Sequence, residues 1–424
     1  MRGKILALSR IIPCVFLLWL TVLASALAQT PSGAPLIGAI RWDNWTSISS
    51  HTKVLSGTDR SPFFEVRDES GKSLYLGGEP MTVDAENTYG RSAGIDYWIF
   101  SYYVDSGSYG IPRAESQNLN KALTTFVSLP NRHGMKFAVD INQTAPLDAT
   151  EYLLNAIASY VSHPDYVRLG DGTAPLFVYT IDRWSQMLGG TARTNAYFKD
   201  FIAGIEKRVG VKVKLVIMGG TYRTSEPYIE PQGPFSASTT YAHSPNCCGV
   251  ELPYAACAAD VRKYWRQAAS SRVPFIPNVT LGWDWRPIIP FPDQMYHRTT
   301  TNPSWCDPGS GSEWVSLLKD AVEVGSNSAA TAGFNGIVIY AWNELSEGGW
   351  LVPTKVEGTR RLEMLATALG GVSRLVPMSL RFPLGSDGYE WPCPPGLQGE
   401  SKPVPPTESE ARVYSGSWLT RDCH

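Results

Sequence analysis

Two glutamates three residues apart, Glu344 and Glu347, stand in the stretch Ala341–Trp350 (AWNELSEGGW), beside the amide of Asn343 and between Trp342 and Trp350. A carboxyl pair of this kind can cut a glycosidic bond. One member protonates the leaving oxygen while the other serves the anomeric side. The division of labour requires environments that separate the two pKa values. Neither glutamate has a basic neighbour in sequence that would hold it as an ion pair. The flanking indoles offer faces on which sugar rings stack. The competing reading of the same residues is a solvated acidic loop that caps the next helix.

The elements that must position the pair come next. Gly336–Tyr340 (GIVIY), just before the stretch, reads as a buried parallel strand. Seven similar runs precede it: Leu36–Trp45, Ile95–Val104, Met135–Asn142, Pro175–Trp184, Lys214–Met218, Ser238–His243 and Pro274–Trp285. Segments with helical spacing fall between them, such as Leu153, Leu154, Ile157 and Val161, or Phe198, Phe201, Ile202, Ile205 and Val209 before Gly210. A small hairpin is expected from Phe63–Val66 and Ser73–Leu76. Eight strand–helix units predict an α/β chain of the (β/α)8 TIM-barrel type. An open doubly wound sheet would carry a Gly-rich phosphate turn after its first strand, and none is present.

In a barrel, catalytic groups come from the C-terminal ends of several strands. Here those ends carry Asp43, Trp45, Tyr103, Asp140, Asn142, Asp182, Trp184, Tyr222, His243, Trp283, Asp284 and Arg286. With Asn343 and Trp350 they predict a polar, aromatic cleft that binds an oligosaccharide or polysaccharide. Each aspartate also has the plainer reading of a helix cap or an arginine partner, and Arg183 and Arg286 adjoin two of them. No Gly-x-Ser-x-Gly elbow and no His-Glu-x-x-His occurs. His243 is equally well read as a hydrogen-bonded structural histidine. Three sequons begin at Asn44, Asn142 and Asn278, all at expected strand ends, where coincidence is the simpler reading.

The 424 residues are 43% hydrophobic with a formal net charge of −2, which suits a large globular core. No dense basic run argues for nucleic acid. Residues 1–28 read as a cleaved signal peptide: Arg2, Lys4 and Arg10, then the apolar Ile11–Leu23, then Ala26-Leu27-Ala28. Pro13 shortens the apolar run below the roughly 20 residues of a spanning helix, so an uncleaved anchor is the weaker reading. No later stretch is long and apolar enough to span a membrane, and the mature chain is expected to be secreted. Without Cys14, six cysteines remain: Cys247, Cys248, Cys257, Cys306, Cys393 and Cys423. An even count in an oxidising compartment predicts disulfides, among about fifteen possible pairings. Zinc on Cys247, Cys248, Cys257 and His243 is disfavoured because adjacent cysteines do not make a Cys-x-x-Cys knuckle. After Gly370, the Pro/Gly-rich residues 371–424 read as a C-terminal extension of the domain spanning 29–370.

The motif Asn-Glu-x-x-Glu-Gly at Asn343–Gly348, after an eighth barrel strand, resembles glycoside hydrolase family 99 and its WbsX-like relatives. His163–Tyr179, Gly282–Pro287 and Gly94–Trp98 are similar to further family segments. The resemblance implies a (β/α)8 barrel acting with retention on α-linked, mannose-type glycans, without metal or other cofactor. It implies that Glu344 deprotonates the sugar 2-hydroxyl to give a 1,2-anhydro intermediate. Glu347 then protonates the leaving group and later activates water, with Asn343 beside the substrate. The sequence departs from the family at Leu345, where tryptophan is usual, and at Val352 before Pro353, where an acidic residue is common. A non-catalytic glycan-binding barrel and a transglycosylase are the rival readings.

Overall fold

The computed structural model describes residues 34–43, 45, 55, 60–62, 65–67, 73–104, 113–142, 150–243, 250–284, 286–288, 304–307, 311–327, 330–370, 380–382 and 419–421. The expected signal peptide, Asn44, Cys247, Cys248, Cys393 and Cys423 lie outside them. So does most of the C-terminal extension, apart from an antiparallel pairing of Leu380–Phe382 with Leu419–Arg421. Among the described residues no helix is long and apolar enough to cross a membrane.

Eight parallel strands form the barrel: β1 Leu36–Arg41, β2 Tyr97–Tyr102, β3 Lys136–Ile141, β4 Ala174–Tyr179, β5 Val213–Met218, β6 Phe235–Thr239, β7 Asn278–Thr280 and β8 Gly336–Tyr340. They lie in the order β7-β8-β1-β2-β3-β4-β5-β6. The ring closes where Ser238 of β6 bridges Phe275, upstream of β7. The Ser238 N–H donates to the Pro274 carbonyl and Ile276 N–H donates back, both at 2.9 Å. Closure leaves the sheet without an edge. It also buries both faces of the strands, which is why β8 is an unbroken GIVIY rather than an alternating run.

The helices follow their apolar stripes. They are α1 Pro80–Ser92, α2 Arg113–Leu119, α3 Lys121–Ser128, α4 Thr150–Val161, α5 Ile181–Leu188, α6 Thr191–Val209, α7 Tyr222–Ser225, α8 Tyr254–Ala269, α9 Ser312–Gly325 and α10 Arg360–Ala368. In α4 the buried side chains are Leu153, Leu154, Ile157, Ala158 and Val161. The hairpin pairs Glu65–Arg67 with Ser73–Tyr75.

Several strands stop earlier than the sequence predicts, and at two of them candidate residues are moved. Strand β4 ends at Tyr179, Thr180 turns left-handed (φ 51°), and residues 181–188 become α5. Ile181, Trp184 and Leu188 recur at helical spacing and are the buried residues of that helix. Asp182 therefore sits on an exposed helix face, and Trp184 packs into the core against Phe198, ring centroids 5.1 Å apart. Likewise β6 is Phe235–Thr239 rather than Ser238–His243, so Tyr241 and His243 lie in the loop beyond it.

Arg41 points outward from β1 and is fully buried against Phe100 and α1. It reaches Glu86 at 2.6 Å, Asp43 at 3.1 Å and the Gly77 carbonyl at 2.7 Å, while Tyr75 donates its hydroxyl to Glu86. One guanidinium faces two buried carboxyls here. Burial, opposed by Arg41 and reinforced by the charge of Asp43, pushes Glu86 up to about 7. Asp43 is pushed up by the same burial and drawn back by Arg41.

Candidate active site

The motif after β8 is a tight hairpin: Asn343–Glu344 pairs antiparallel with Gly349–Trp350. It is entered through a cis peptide between Tyr340 and Ala341. Asn343 anchors it to β1. Its Oδ1 accepts from Trp42 N–H at 2.9 Å, its Nδ2 donates to Asp43 at 3.1 Å, and its carbonyl accepts from Trp45 Nε1 at 3.0 Å. Asn343 is wholly buried, so its amide serves the scaffold.

A second brace comes from the loop after β7. The Asp284 N–H donates to the Glu347 carbonyl at 2.7 Å. Arg60 bridges the two segments, pairing with the Asp284 carboxylate at 2.6 Å and donating to the Leu345 carbonyl at 2.9 Å. Burial raises Asp284, but its bonds to Arg286 and the charge of Arg60 outweigh that and hold it below the usual carboxylate range. The close approach dictates glycine at 348. Its φ is +90°, and a Cβ there would lie 2.4 Å from Asp284 N. At 349 a Cβ would strike the Tyr340 ring at 2.4 Å.

Held in this way, both glutamates of the pair meet tyrosines. The Tyr241 hydroxyl donates to Glu344 Oε1 at 2.6 Å, and the Tyr340 hydroxyl donates to Glu347 Oε2 at 2.6 Å. The two tyrosine rings touch edge to face at 5.3 Å; Tyr179 adjoins Tyr241 at 5.0 Å and Trp283 backs Tyr340 at 5.8 Å. Both carboxylates are buried, Glu344 4% and Glu347 7% exposed, whereas Tyr179 and Tyr241 are half-buried. Burial, then the charge of Glu344, keeps the Tyr241 and Tyr340 hydroxyls well above their ordinary range. They therefore stay protonated donors, and each donated hydrogen bond fixes the rotamer of the carboxyl that accepts it.

Asp140 and Tyr103 complete the inner wall. Asp140 is fully buried; Asn142 donates to its Oδ2 at 3.3 Å, and its Oδ1 has no hydrogen-bond partner among the described residues. Burial pushes this carboxyl up to about 7, the Asn142 bond opposing. Its charge is felt at Tyr103 and at Tyr179, whose hydroxyl burial and the Glu347 charge raise to about 12. Tyr103 Oη accepts from Trp42 Nε1 at 2.8 Å.

The remaining sequence candidates are placed elsewhere. Trp45 packs on Tyr75 beneath the hairpin. Trp350 is stacked by Arg361 at 3.5 Å, and Trp342 is buried against Trp98 at 4.7 Å. Tyr222 packs on Tyr264, which also adjoins His243. His243 pairs with Asp260 at 2.9 Å. Arg286 is exposed over the Trp305 ring at 3.8 Å. Asn278 is 1% exposed and donates to the Tyr241 carbonyl, so its sequon is a structural feature of β7. Leu345 belongs to the hydrophobic core, where a departure from tryptophan changes packing.

Sequence reasoning missed Tyr179, Tyr241, Tyr340 and Arg60 as site residues. The three tyrosines were legible as residues at or just past strand ends. Arg60 carries no local signal, because its partners lie 224 and 285 positions away.

No protein-family model matches this chain, and no curated protein does. Among solved structures, it is similar to the family 99 endo-α-mannosidase from Bacteroides thetaiotaomicron in complex with bis-tris propane. The TM-score is 0.51 at 17% identity, over 81% of this chain and 98% of that one. The likeness is one of fold. A second structure of that mannosidase gives 0.49 at 15% identity over 78% and 98%, and a family 113 β-1,4-mannanase gives 0.41 at 9% over 80% and 99%. The expected TIM-barrel fold is thus shared with that mannosidase.

Proposed function

We propose that this protein is a retaining glycoside hydrolase that cleaves α-linked, mannose-type glycans with Glu344 and Glu347. The observation that carries the reading is the pair of 2.6 Å tyrosine bonds, which orient both carboxylates at the C-terminal end of the barrel. Glu344 takes the proton of the sugar 2-hydroxyl, whose oxygen closes on the anomeric carbon as the glycosidic bond breaks. Glu347 gives its proton to the leaving oxygen and later removes one from the water that opens the 1,2-anhydro sugar. Tyr179 and Tyr241, both half-buried, supply ring faces for the sugar.

Digestion of an α-mannan and α-linked oligosaccharide panel, with the products identified by mass and anomeric configuration, tests this. The wild type is expected to release products with retention, and Glu344→Gln and Glu347→Gln are expected to lose at least about a thousandfold in kcat/KM. Activity retained by both variants would sink the assignment. Binding without products across the panel would favour the glycan-binding barrel, and transfer to added sugar acceptors the transglycosylase. We also propose export, from the leader-like residues 1–28. N-terminal sequencing of the mature protein would show Gln29 first, and retention of Met1 would refute cleavage.

A further inference from the structure

Cys257 lies in the first turn of α8, and Cys306 lies in the short strand Trp305–Asp307. That strand runs parallel to Glu251–Pro253, the residues leading directly into α8, with Cys306 opposite Leu252. Backbone pairing therefore brings residue 306 beside the helix that starts two residues after its partner. Both cysteines are buried free thiols in the structure, and the neighbouring Cys306 lowers the Cys257 thiol below its usual range. Across its other edge Cys306 exchanges two backbone hydrogen bonds with Trp283, at 3.0 and 2.9 Å. Trp283 is the ring that backs Tyr340, the partner of Glu347.

We propose that Cys257 and Cys306 form a disulfide that staples the Trp305–Asp307 strand to α8 and so holds Trp283 behind Tyr340. This inference stands apart from the glycosidase reading, since it rests on the chain's own packing. Cys257 is the attacking thiol. It is the more exposed of the two, 9% against 3%, and the neighbouring Cys306 thiol holds it below the usual thiol range. It loses its proton and attacks one sulfur of a small-molecule disulfide such as oxidised glutathione, expelling a glutathione thiolate. The Cys306 thiolate then displaces the second glutathione. Two protein thiols are oxidised to one disulfide, and one glutathione disulfide is reduced to two thiols. The closed loop spans residues 257–306 and includes β7 and Asp284. A cross-link over so long a loop restricts the unfolded chain strongly.

The test uses the full chain. After incubation with oxidised glutathione the protein is denatured, alkylated without reductant, digested, and mapped by mass. A linked Cys257–Cys306 peptide, lost on reduction, is expected. Alkylation of both residues before reduction, or linkage of either to Cys247, Cys248, Cys393 or Cys423, would overturn the pairing. Reduction should lower the Tm of the wild type by about 3–8 °C more than that of the Cys257→Ala/Cys306→Ala double variant. A linked chain whose Tm ignores reductant would refute the stapling role. The peptide map needs only the wild type, so the pairing stays testable if the double variant does not fold.

Discussion

The Tyr340 hydroxyl donates to Glu347 across 2.6 Å although the two residues are only seven apart in sequence, because the hairpin reverses the chain over the end of β8. Tyr241 does the same for Glu344 from 103 residues away. Tyr340→Phe and Tyr241→Phe should each keep the fold, since only a hydroxyl leaves a ring packed on its neighbours. Each should lose about 10- to 100-fold in kcat/KM on a glycan the wild type cleaves. Steady-state kinetics alongside thermal melts check this; full activity in both variants would show that the carboxylates need no such orientation.

Asp140 makes stability pH-dependent with a definite sign. Its carboxyl is held up to about 7 by burial, so between about pH 4 and 7 the folded chain keeps a proton that the unfolded chain releases. Stability contributed by this group is therefore lost as pH rises through that window. Asp140→Asn should be more stable than wild type at pH 7 by about 1–3 kcal/mol, the gain vanishing toward pH 4. Urea melts from pH 4 to 8 read it directly, and parallel curves for the two proteins would refute it.

Arg41 reaches both Asp43 and Glu86 in that buried cluster. Replacing it by methionine should cost about 3–5 kcal/mol at neutral pH, because two carboxyls are left in a dry site. The deficit should shrink as pH falls toward about 7, because without Arg41 the buried Glu86 takes up its proton at higher pH than in the wild type. Chemical unfolding across pH measures it; a deficit that ignores pH would show that lost packing on Phe100, not charge, is responsible.

Gly348 and Gly358 separate steric contact from backbone conformation. Both have positive φ, +90° and +62°, but a Cβ at 348 would meet Asp284 N at 2.4 Å while one at 358 meets nothing within 4 Å. Gly358→Ala should lose about 1 kcal/mol. Gly348→Ala should lose about 3 kcal/mol or more and part the 2.7 Å bond between Asp284 and Glu347. Equal losses would mean that the two segments separate freely.

What the residues alone determined was local. The apolar run GIVIY, the i, i+3 spacing of Glu344 and Glu347, and the stripes of α4 and α6 are properties of neighbours along the chain, and they sufficed for eight strand–helix units and for the glutamate pair. Folding decided which strand-end residues face inward together. Asp182 and Trp184 left the site because Ile181, Trp184 and Leu188 satisfy a helix one residue beyond a left-handed Thr180. Asn343 turned from the substrate to Trp42 and Asp43, since a wholly buried amide must find its hydrogen bonds within the protein. Tyr241 and Arg60 gained their partners only when folding brought distant segments around one axis. No periodicity in sequence encodes a contact 285 residues long.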